Sequence, residues 1–525
     1  MVYQVYPRSF ADTDGDGVGD LRGIIDRLDH IAGLGVDVVW LSPIYVSPQD
    51  DNGYDIADYQ DVDPLFGTLA DLDELIAAVH GRGMKLIMDL VVNHTSDEHP
   101  WFIESRDPAS PKRDWYHWRP EPLNWGSFFG GSAWELDPAS GEYYLHLFSR
   151  KQPDLNWENP EVRQAVYAMM RWWVDRGVDG FRMDVINLIS KTHPLVDGLQ
   201  HPGEPYSYEI ERVANGPRLV EYLEEMNREV GITEKQLFTV GEMVACGLEH
   251  AREYTSREHD RLGMVFTFEH VSLDHGAGKL DVRPLHLPDL KKNLARWQAG
   301  LARDGWNSLY FENHDQPRSV SRFGDDSPEH RVTSAKALAT VLHLHQGTPY
   351  IYQGQEIGLA NAGFTRIEQY SDIEAHGMYR QALDAGVPAE QVLAGLARMG
   401  RDNARTMVPW DAGSGVVNVA DDVADPDGVY AHYRALVALR HEREVVRMGA
   451  FELLLPEHES LWVFTRTLGQ ERLLVLANLS SHLAGVPVGD LPSLEDAVLL
   501  LSSVHPGTDL QTLAPWEARV YQLRA

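Results

Sequence analysis

The chain has 525 residues, 43% of them hydrophobic, and a formal charge of −33 from 46 Lys+Arg against 79 Asp+Glu. That length supports a large core in more than one domain, and the acidic balance argues against nucleic acid and anionic membranes as partners, since both need a basic face. A single cysteine excludes an intrachain disulfide framework, and with no apolar run of transmembrane length and no basic-then-apolar leader the expectation is a soluble cytoplasmic protein, monomer or homodimer.

In chain order, Val2 to Pro7 reads as a strand that begins almost at the first residue, which leaves open a start further upstream. DTDGDGVGD follows, with acidic residues at Asp12, Asp14, Asp16 and Asp20. Together with the Val18 carbonyl these match the ligand spacing of an EF-hand loop, but the twelfth place is Gly23 rather than a bidentate glutamate. A strand also precedes the loop where an EF-hand has a helix. A calcium sensor is therefore not expected, and the choice lies between a structural metal loop and an Asp/Gly-rich turn.

LRGIIDRLDHIAGLG then has helical spacing, VDVVWLSPI reads as a buried strand, DLDELIAAVHGRG as a helix and KLIMDLVVNH as a strand. The rhythm resumes with EVRQAVYAMMRWWVDRG, GVDGFRMDVI, LVEYLEEMNREV, LFTVGEM, GMVFTFEH, LKKNLARWQAGLA, WNSLYFENHD, SAKALATVLHLHQG and PYIYQGQE. Eight such strands with intervening helices predict an α/β fold, the closed (β/α)8 TIM barrel, over residues 1–94 and 159–447. Residues 95–158, rich in Pro, Gly and Trp, are too many for a βα loop and read as an inserted small domain after the third strand. A second excursion, 357–410, follows the eighth strand, and the alternating runs of 448–525 predict a C-terminal antiparallel β domain.

The strand ends LVVNH, FRMDV, VGEM and FENHD place Asp89, Asn93, His94, Arg182, Asp184, Glu242, His314 and Asp315 at one mouth, the catalytic end of such a barrel. Any one of them is more simply the polar end of a strand. Carboxylates gathered from several strands at one end are costly, because like charges raise each other's pKa and destabilise the fold. Arg182, two residues before Asp184 on the same strand face, would keep that carboxylate ionised.

These motifs resemble, in the right order, the four short conserved regions of the family 13 glycoside hydrolases of the α-amylase superfamily, and within it the oligo-1,6-glucosidase and α-glucosidase branch. QVYPRSF, NGYDIADY, NSLYFENHDQPRSVSRFG, QGTPYIYQGQEIG and RDNART extend the likeness over nearly the whole chain. The resemblance implies Asp184 as nucleophile, Glu242 as general acid/base and Asp315 as the third carboxylate, with His94 and His314 binding sugar. It implies that Asp55 and Arg401 close over the non-reducing end of a glucose, hence an exo-acting, retaining α-glucosidase on small α-glucosides. Tyr54 is a stacking platform or a core tyrosine. The metal loop would hold a structural Ca2+ or Mg2+ that stabilises without catalysing, and no organic cofactor is expected.

In this branch valine after the nucleophile accompanies α-1,6 preference and threonine α-1,4; here it is Val185. Val lacks the hydroxyl that Thr offers a neighbouring sugar, although a strand valine without any role is the plainer reading. A maltase-type α-1,4-glucosidase, a trehalose-6-phosphate hydrolase and a sucrose- or trehalulose-cleaving enzyme remain alternatives, as does transglucosylation beside hydrolysis. Non-catalytic transporter subunits of this fold lack the carboxylate set and carry a membrane anchor. GEMVACGLEH departs from the usual Met-Pro after the acid, RDNARTMVPW departs from RTPMQW, and the RLDRD-type loop of sucrose isomerases is absent. Cys246 is either a small buried hydrophobe or a thiol near the pocket.

Overall fold

Eight short apolar runs become the staves of one barrel in the computed structural model, which describes residues 1–201, 203–414, 417–505 and 511–524. They are β1 (Val2–Val5), β2 (Val38–Leu41), β3 (Lys85–Val91), β4 (Gly180–Asp184), β5 (Phe238–Glu242), β6 (Met264–Phe266), β7 (Ser308–Leu309) and β8 (Thr348–Tyr352). Their order is β6-β5-β4-β3-β2-β1-β8-β7, every neighbouring pair is parallel, and a parallel bridge between Val265 and Asn307 closes the ring. The staves are continuous apolar runs because helices cover their outer face while side chains fill the inside. Helices Leu21–Leu34, Leu69–Gly81, Pro160–Arg176, Leu219–Val230, Leu248–Thr255, Leu287–Leu301, Arg331–His343 and Val429–Glu442 form that outer layer.

Local signals set the helix ends. The Asp20 carboxylate accepts the Gly23 N–H at 2.7 Å and starts the first helix, and Gly35, at φ 85°, ends it. Thr68 and Asp71 form a reciprocal capping box on the second helix.

Three additions surround this frame. Between β3 and helix Pro160–Arg176 lies a three-stranded antiparallel sheet of Trp118–Arg119, Tyr143–Leu145 and Trp134–Leu136 in that spatial order. Its apolar cluster, with Leu123, Trp125 and Leu145, is shared with Val185 and Leu188 just past β4, so the insertion packs directly on the barrel mouth. After β8 the chain forms helices Ile373–Asp384 and Ala389–Met399 over a small cluster of Tyr370, Ala375, Val392 and Leu396.

The C-terminal strands pair antiparallel in the order Ala450–Leu454, Leu461–Leu468, Glu471–Asn478, Ala518–Leu523, Val498–Ser502. Alternation sorts their side chains, with Trp462, Phe464, Leu473 and Val475 joining the main core and Leu461, Val463, Leu474 and Leu476 forming a second one behind. Residues 506–510 and 525, which fall within the expected C-terminal β domain, and 202 and 415–416 lie outside the described residues.

Candidate active site

The carboxyl ends of the staves converge on a cavity of about 310 Å³, at the small end of ligand sites. Alternation along β4 puts Arg182 and Asp184 on the same face, and the register sets Asp89 of β3 opposite Arg182. The Arg182 guanidinium, 1% exposed, serves three carboxyl groups from three staves. It donates to Asp89 at 2.8 Å and Asp184 at 2.5 Å through Nη1, and Nη2 lies 2.8 Å from Glu242. Asp184 and Glu242 are thus held around one cation at the cavity wall, while Asp89 is fully buried below it against the Trp40 indole N–H.

Burial pushes the Asp184 carboxyl up to about 6, with Arg182 offsetting part of the rise. Burial pushes Glu242 up to about 7, again against Arg182, and the neighbouring anions Asp184 and Asp315 add to that rise. Asp89 is raised to about 7 by burial despite Arg182 and Trp40. Burial opposes ionisation of Asp315 too, yet His314, Arg401 and Arg405 around it hold that carboxyl well below the usual range. The site therefore holds Asp315 firmly ionised, while Asp89, Asp184 and Glu242 titrate close to neutrality.

His94 and Tyr54 line the cavity, whereas Arg182 and His314 stand one layer behind its wall. The Tyr54 ring stacks on that of His314, with centroids 5.4 Å apart, so it is at once a buried tyrosine and part of the wall. Gln4 Nε2 lies 2.8 Å from His314 Nδ1, which puts the proton of the neutral ring on Nε2, between Tyr54 Oη and Asp315. Burial pushes His94 down to about 4, and its Nε2 faces the Tyr54 carbonyl at 3.1 Å.

At the other end of the cavity the expected Asp55–Arg401 pair is corrected. The Asp55 carboxylate turns inward, accepts the N–H groups of Asp50 and Asp51 and the Ser47 hydroxyl, and is fully buried away from the cavity. Closing this turn uses its lone pairs. Asp51 lines the cavity instead, 3.4 Å from Arg401. Arg401 also forks onto Asp372 at 2.5 and 2.7 Å and reaches Asp315 at 3.2 Å, with its guanidinium over the Phe129 ring. Asp51 and Asp372 were missed in the sequence: QDDNGYD offers three acids within one turn, and SDIEAHG carries no motif. Phe128, Phe129 and Phe148 of the insertion, and Lys279 and Glu374, also line the cavity and had no sequence signal beyond their residue type.

Val185 lines the cavity in a left-handed backbone conformation, φ 33° and ψ 41°. That is strained for a β-branched residue, and the conformation sets its N–H toward Glu242 Oε2 at 3.2 Å. Cys246 is buried, its thiol pushed up to about 12 by burial, which makes it a small hydrophobe rather than a nucleophile.

In the loop after β1, carboxylate oxygens of Asp12, Asp14 and Asp20 gather within 4.8 Å of one another. Asp16 is outside that trio, because its carboxylate accepts the Val18 N–H at 2.7 Å and closes a turn, and the Val18 side chain packs on the core. Among the described residues no Lys or Arg pairs with the three. The donor set, all carboxylate oxygen, fits a hard divalent cation.

The catalytic-domain family of the alpha-amylases matches residues 4–449. The chain belongs to that family. The α-amylase family accounts for the parallel barrel, and the chain is a glycoside hydrolase. It is 50% identical to an oligo-1,6-glucosidase of Parageobacillus thermoglucosidasius, over 100% of this chain and 98% of the relative. It is 45% identical to a glucan 1,6-alpha-glucosidase of Streptococcus dysgalactiae subsp. equisimilis, over 98% and 97%. Among solved structures, the trehalose-6-phosphate hydrolase of Bacillus licheniformis superposes with a TM-score of 0.92 at 43% identity, over 100% of this chain and 99% of that one. The four-motif resemblance thus holds across the chain. No helix among the described residues is long and apolar enough to cross a membrane.

Proposed function

We propose that the protein is an exo-acting, retaining α-glucosidase that releases glucose from the non-reducing end of short α-1,6-linked glucosides. The observation that carries this reading is the clustering of Asp184 and Glu242 around one buried guanidinium, in a small cavity bounded at another end by Asp51, Arg401 and Asp372. In the first step an Asp184 oxygen attacks the anomeric carbon. The bond to the leaving oxygen breaks, and Glu242 gives that oxygen its proton. Water then attacks the same carbon of the glucosyl ester, passes a proton to Glu242 and frees Asp184, so that two inversions leave the configuration retained. A sugar hydroxyl in place of water gives transglucosylation. The carboxyls at about 6 and about 7 fit this division, with the lower as nucleophile and the higher as acid. Asp315, kept ionised, would hold sugar hydroxyls, and His94, whose one N–H faces the Tyr54 carbonyl, would shape the glucose site as part of its wall.

A bounded glucose end leaves room for one unit beyond the cleaved bond, which supports exo action. The α-1,6 preference rests on Val185 at the cavity wall and on the activities for which the bacterial relatives are named. Comparing kcat/KM on isomaltose and maltose tests it. Isomaltose should be favoured, and Val185→Thr should move the ratio toward maltose by about tenfold, the discrimination one small contact supplies; a wild-type preference for maltose would overturn the linkage.

Asp12, Asp14 and Asp20 would hold a structural Ca2+ or Mg2+, pinning the β1 loop and adding its binding free energy to folding. A chelator should then lower the melting temperature of the wild type and leave that of Asp12→Asn unmoved. A cytoplasmic site of action, as monomer or homodimer, fits a chain with one buried cysteine.

A further inference from the structure

One buried cation that the two catalytic steps do not use ties together two loops at the barrel mouth. Arg322 ends the short helix Ser319–Arg322 after β7, and its side chain is fully buried. Its Nε and Nη2 fork onto the Asp274 carboxylate at 2.9 and 2.6 Å, and Nη2 also donates to the Val271 carbonyl, which fixes the loop after β6. Nη1 donates to the side-chain Oε1 of Gln316 at 2.7 Å. A guanidinium only donates, so the amide atom that faces it is the oxygen and the amide nitrogen points the other way. Gln316 lines the cavity directly after Asp315 in the chain, and among the described residues nothing accepts from its N–H2 group. The amide is thus oriented from behind the wall, with its donor side toward the cavity.

We infer that Gln316 is a further substrate-binding residue, donating from its amide nitrogen to a sugar hydroxyl oxygen, and that Arg322 is the positioning residue that turns this amide. The inference rests on the glucosidase reading and adds a contact to it. Five carboxyl groups line the cavity, those of Asp51, Asp184, Glu242, Asp315 and Glu374. They suit hydroxyls that donate, but a hydroxyl that gives its proton to a carboxylate keeps two lone pairs. The cations of the wall and His94 are already engaged. Lys279 meets Glu374 at 2.6 Å, Arg401 is held by Asp372, Asp315 and Asp51, and the His94 N–H faces the Tyr54 carbonyl at 3.1 Å. The Gln316 amide supplies N–H groups without adding charge to the cluster. A freely turning amide would present nitrogen or oxygen, and Arg322 excludes the second, which would meet those lone pairs with an acceptor.

Isomaltose and its single-deoxy derivatives, one for each hydroxyl of the two sugars, test the contact from the substrate side. The kcat/KM penalty for removing one particular hydroxyl should be about tenfold smaller in Gln316→Met than in the wild type, the effect of one neutral hydrogen bond. Gln316→Glu, which keeps an acceptor for Arg322 but has no N–H2, should shrink the same penalty. Arg322→Lys keeps a cation against Asp274 and gives up the Nη1 donor, so the amide can turn. It should shrink that penalty too, and in the Gln316→Met background it should lower kcat/KM no further. A purely structural role would lower the melting temperature and leave every penalty at its wild-type value. Penalties that Gln316→Met leaves unchanged for every hydroxyl overturn the contact, and losses from Arg322→Lys and Gln316→Met that simply add overturn the positioning role. Failure of the wild type to cleave isomaltose would instead count against the α-1,6-glucosidase reading.

Discussion

One guanidinium cannot keep three buried carboxyl groups ionised. Arg182 faces Asp89, Asp184 and Glu242 together, and burial leaves them at about 7, 6 and 7. Because each charge raises the others, the proton uptake belongs to the cluster as much as to any member. Catalysis needs Asp184 ionised and Glu242 protonated, so kcat/KM should fall below about pH 6 and above about pH 7. Asp89 tests this arithmetic because it is behind the cavity and touches no ligand. The negative charge of Asp89 raises the Asp184 pKa, but Asp89, itself at about 7, is only fractionally ionised where Asp184 titrates, so removing it lowers that pKa by only part of a full charge's effect. Asp89→Asn should therefore shift the acid limb of the pH–rate profile downward by about half a unit or less while the glucoside KM stays within about twofold. An acid limb that does not move would mean that Asp184 is not the group titrating there. Val185 adds a second constraint at this scale, since its strained backbone turns the amide next to the nucleophile onto the acid.

At the scale of elements, the far end of the cavity is assembled from loops that are distant in sequence. The loop after β2 brings Asp51, the loop after β7 brings Asp315, and the excursion after β8 brings Asp372 and Arg401. This is where sequence reading reached its limit. Arg182, Asp184 and Glu242 were legible because each ends or nearly ends a stave, and a stave's end has only one place to be. Asp51 and Asp55 lie four residues apart in a tight turn, and which of them faces the cavity depends on which closes the turn onto the backbone amides of residues 50 and 51. Asp372 was hidden by its local role, since it caps helix Ile373–Asp384 by accepting the Glu374 N–H at 3.2 Å, while its partner Arg401 is 29 residues away. The two aspartates should fail in different ways. Asp51→Asn should raise KM by about tenfold to a hundredfold with little change in melting temperature. Asp55→Asn, which weakens a buried acceptor, should cost about 1–3 kcal/mol of stability, seen as a lower melting temperature. If Asp55→Asn gave the larger KM effect and left stability intact, the expected pairing with Arg401 would be restored.

Across the whole molecule, the staves were readable as bounded apolar runs and the C-terminal sheet as alternation, because both patterns report what a strand buries on each face. Part of the joint between them was not readable, since beside the apolar contact of Trp462 and Phe464 it uses basic residues that a sequence assigns to the surface. The Lys291 ammonium, on barrel helix Leu287–Leu301, donates to the carbonyls of Leu455, His458 and Leu461 at 2.7–2.9 Å. From the other side Arg466 of the sheet donates to the Leu344 carbonyl at 2.8 Å, just past helix Arg331–His343. Three carbonyls around one ammonium fill its three N–H positions, so this one side chain makes the buried tie between the barrel and the turn that starts the sheet's second strand, beside the more exposed Lys292–Glu457 pair. Lys291→Met keeps the stem and removes the donors, leaving three acceptors in a largely dry joint. The expected loss is about 2–4 kcal/mol, which for a chain of 525 residues is a fall of about 2–4 °C in melting temperature. Because the joint is remote from the cavity, KM for a glucoside measured at 25 °C should be unchanged. A variant that melts with the wild type would show that apolar packing alone holds the sheet to the barrel; one that loses substrate affinity before it loses stability would show that the sheet and the cavity are coupled.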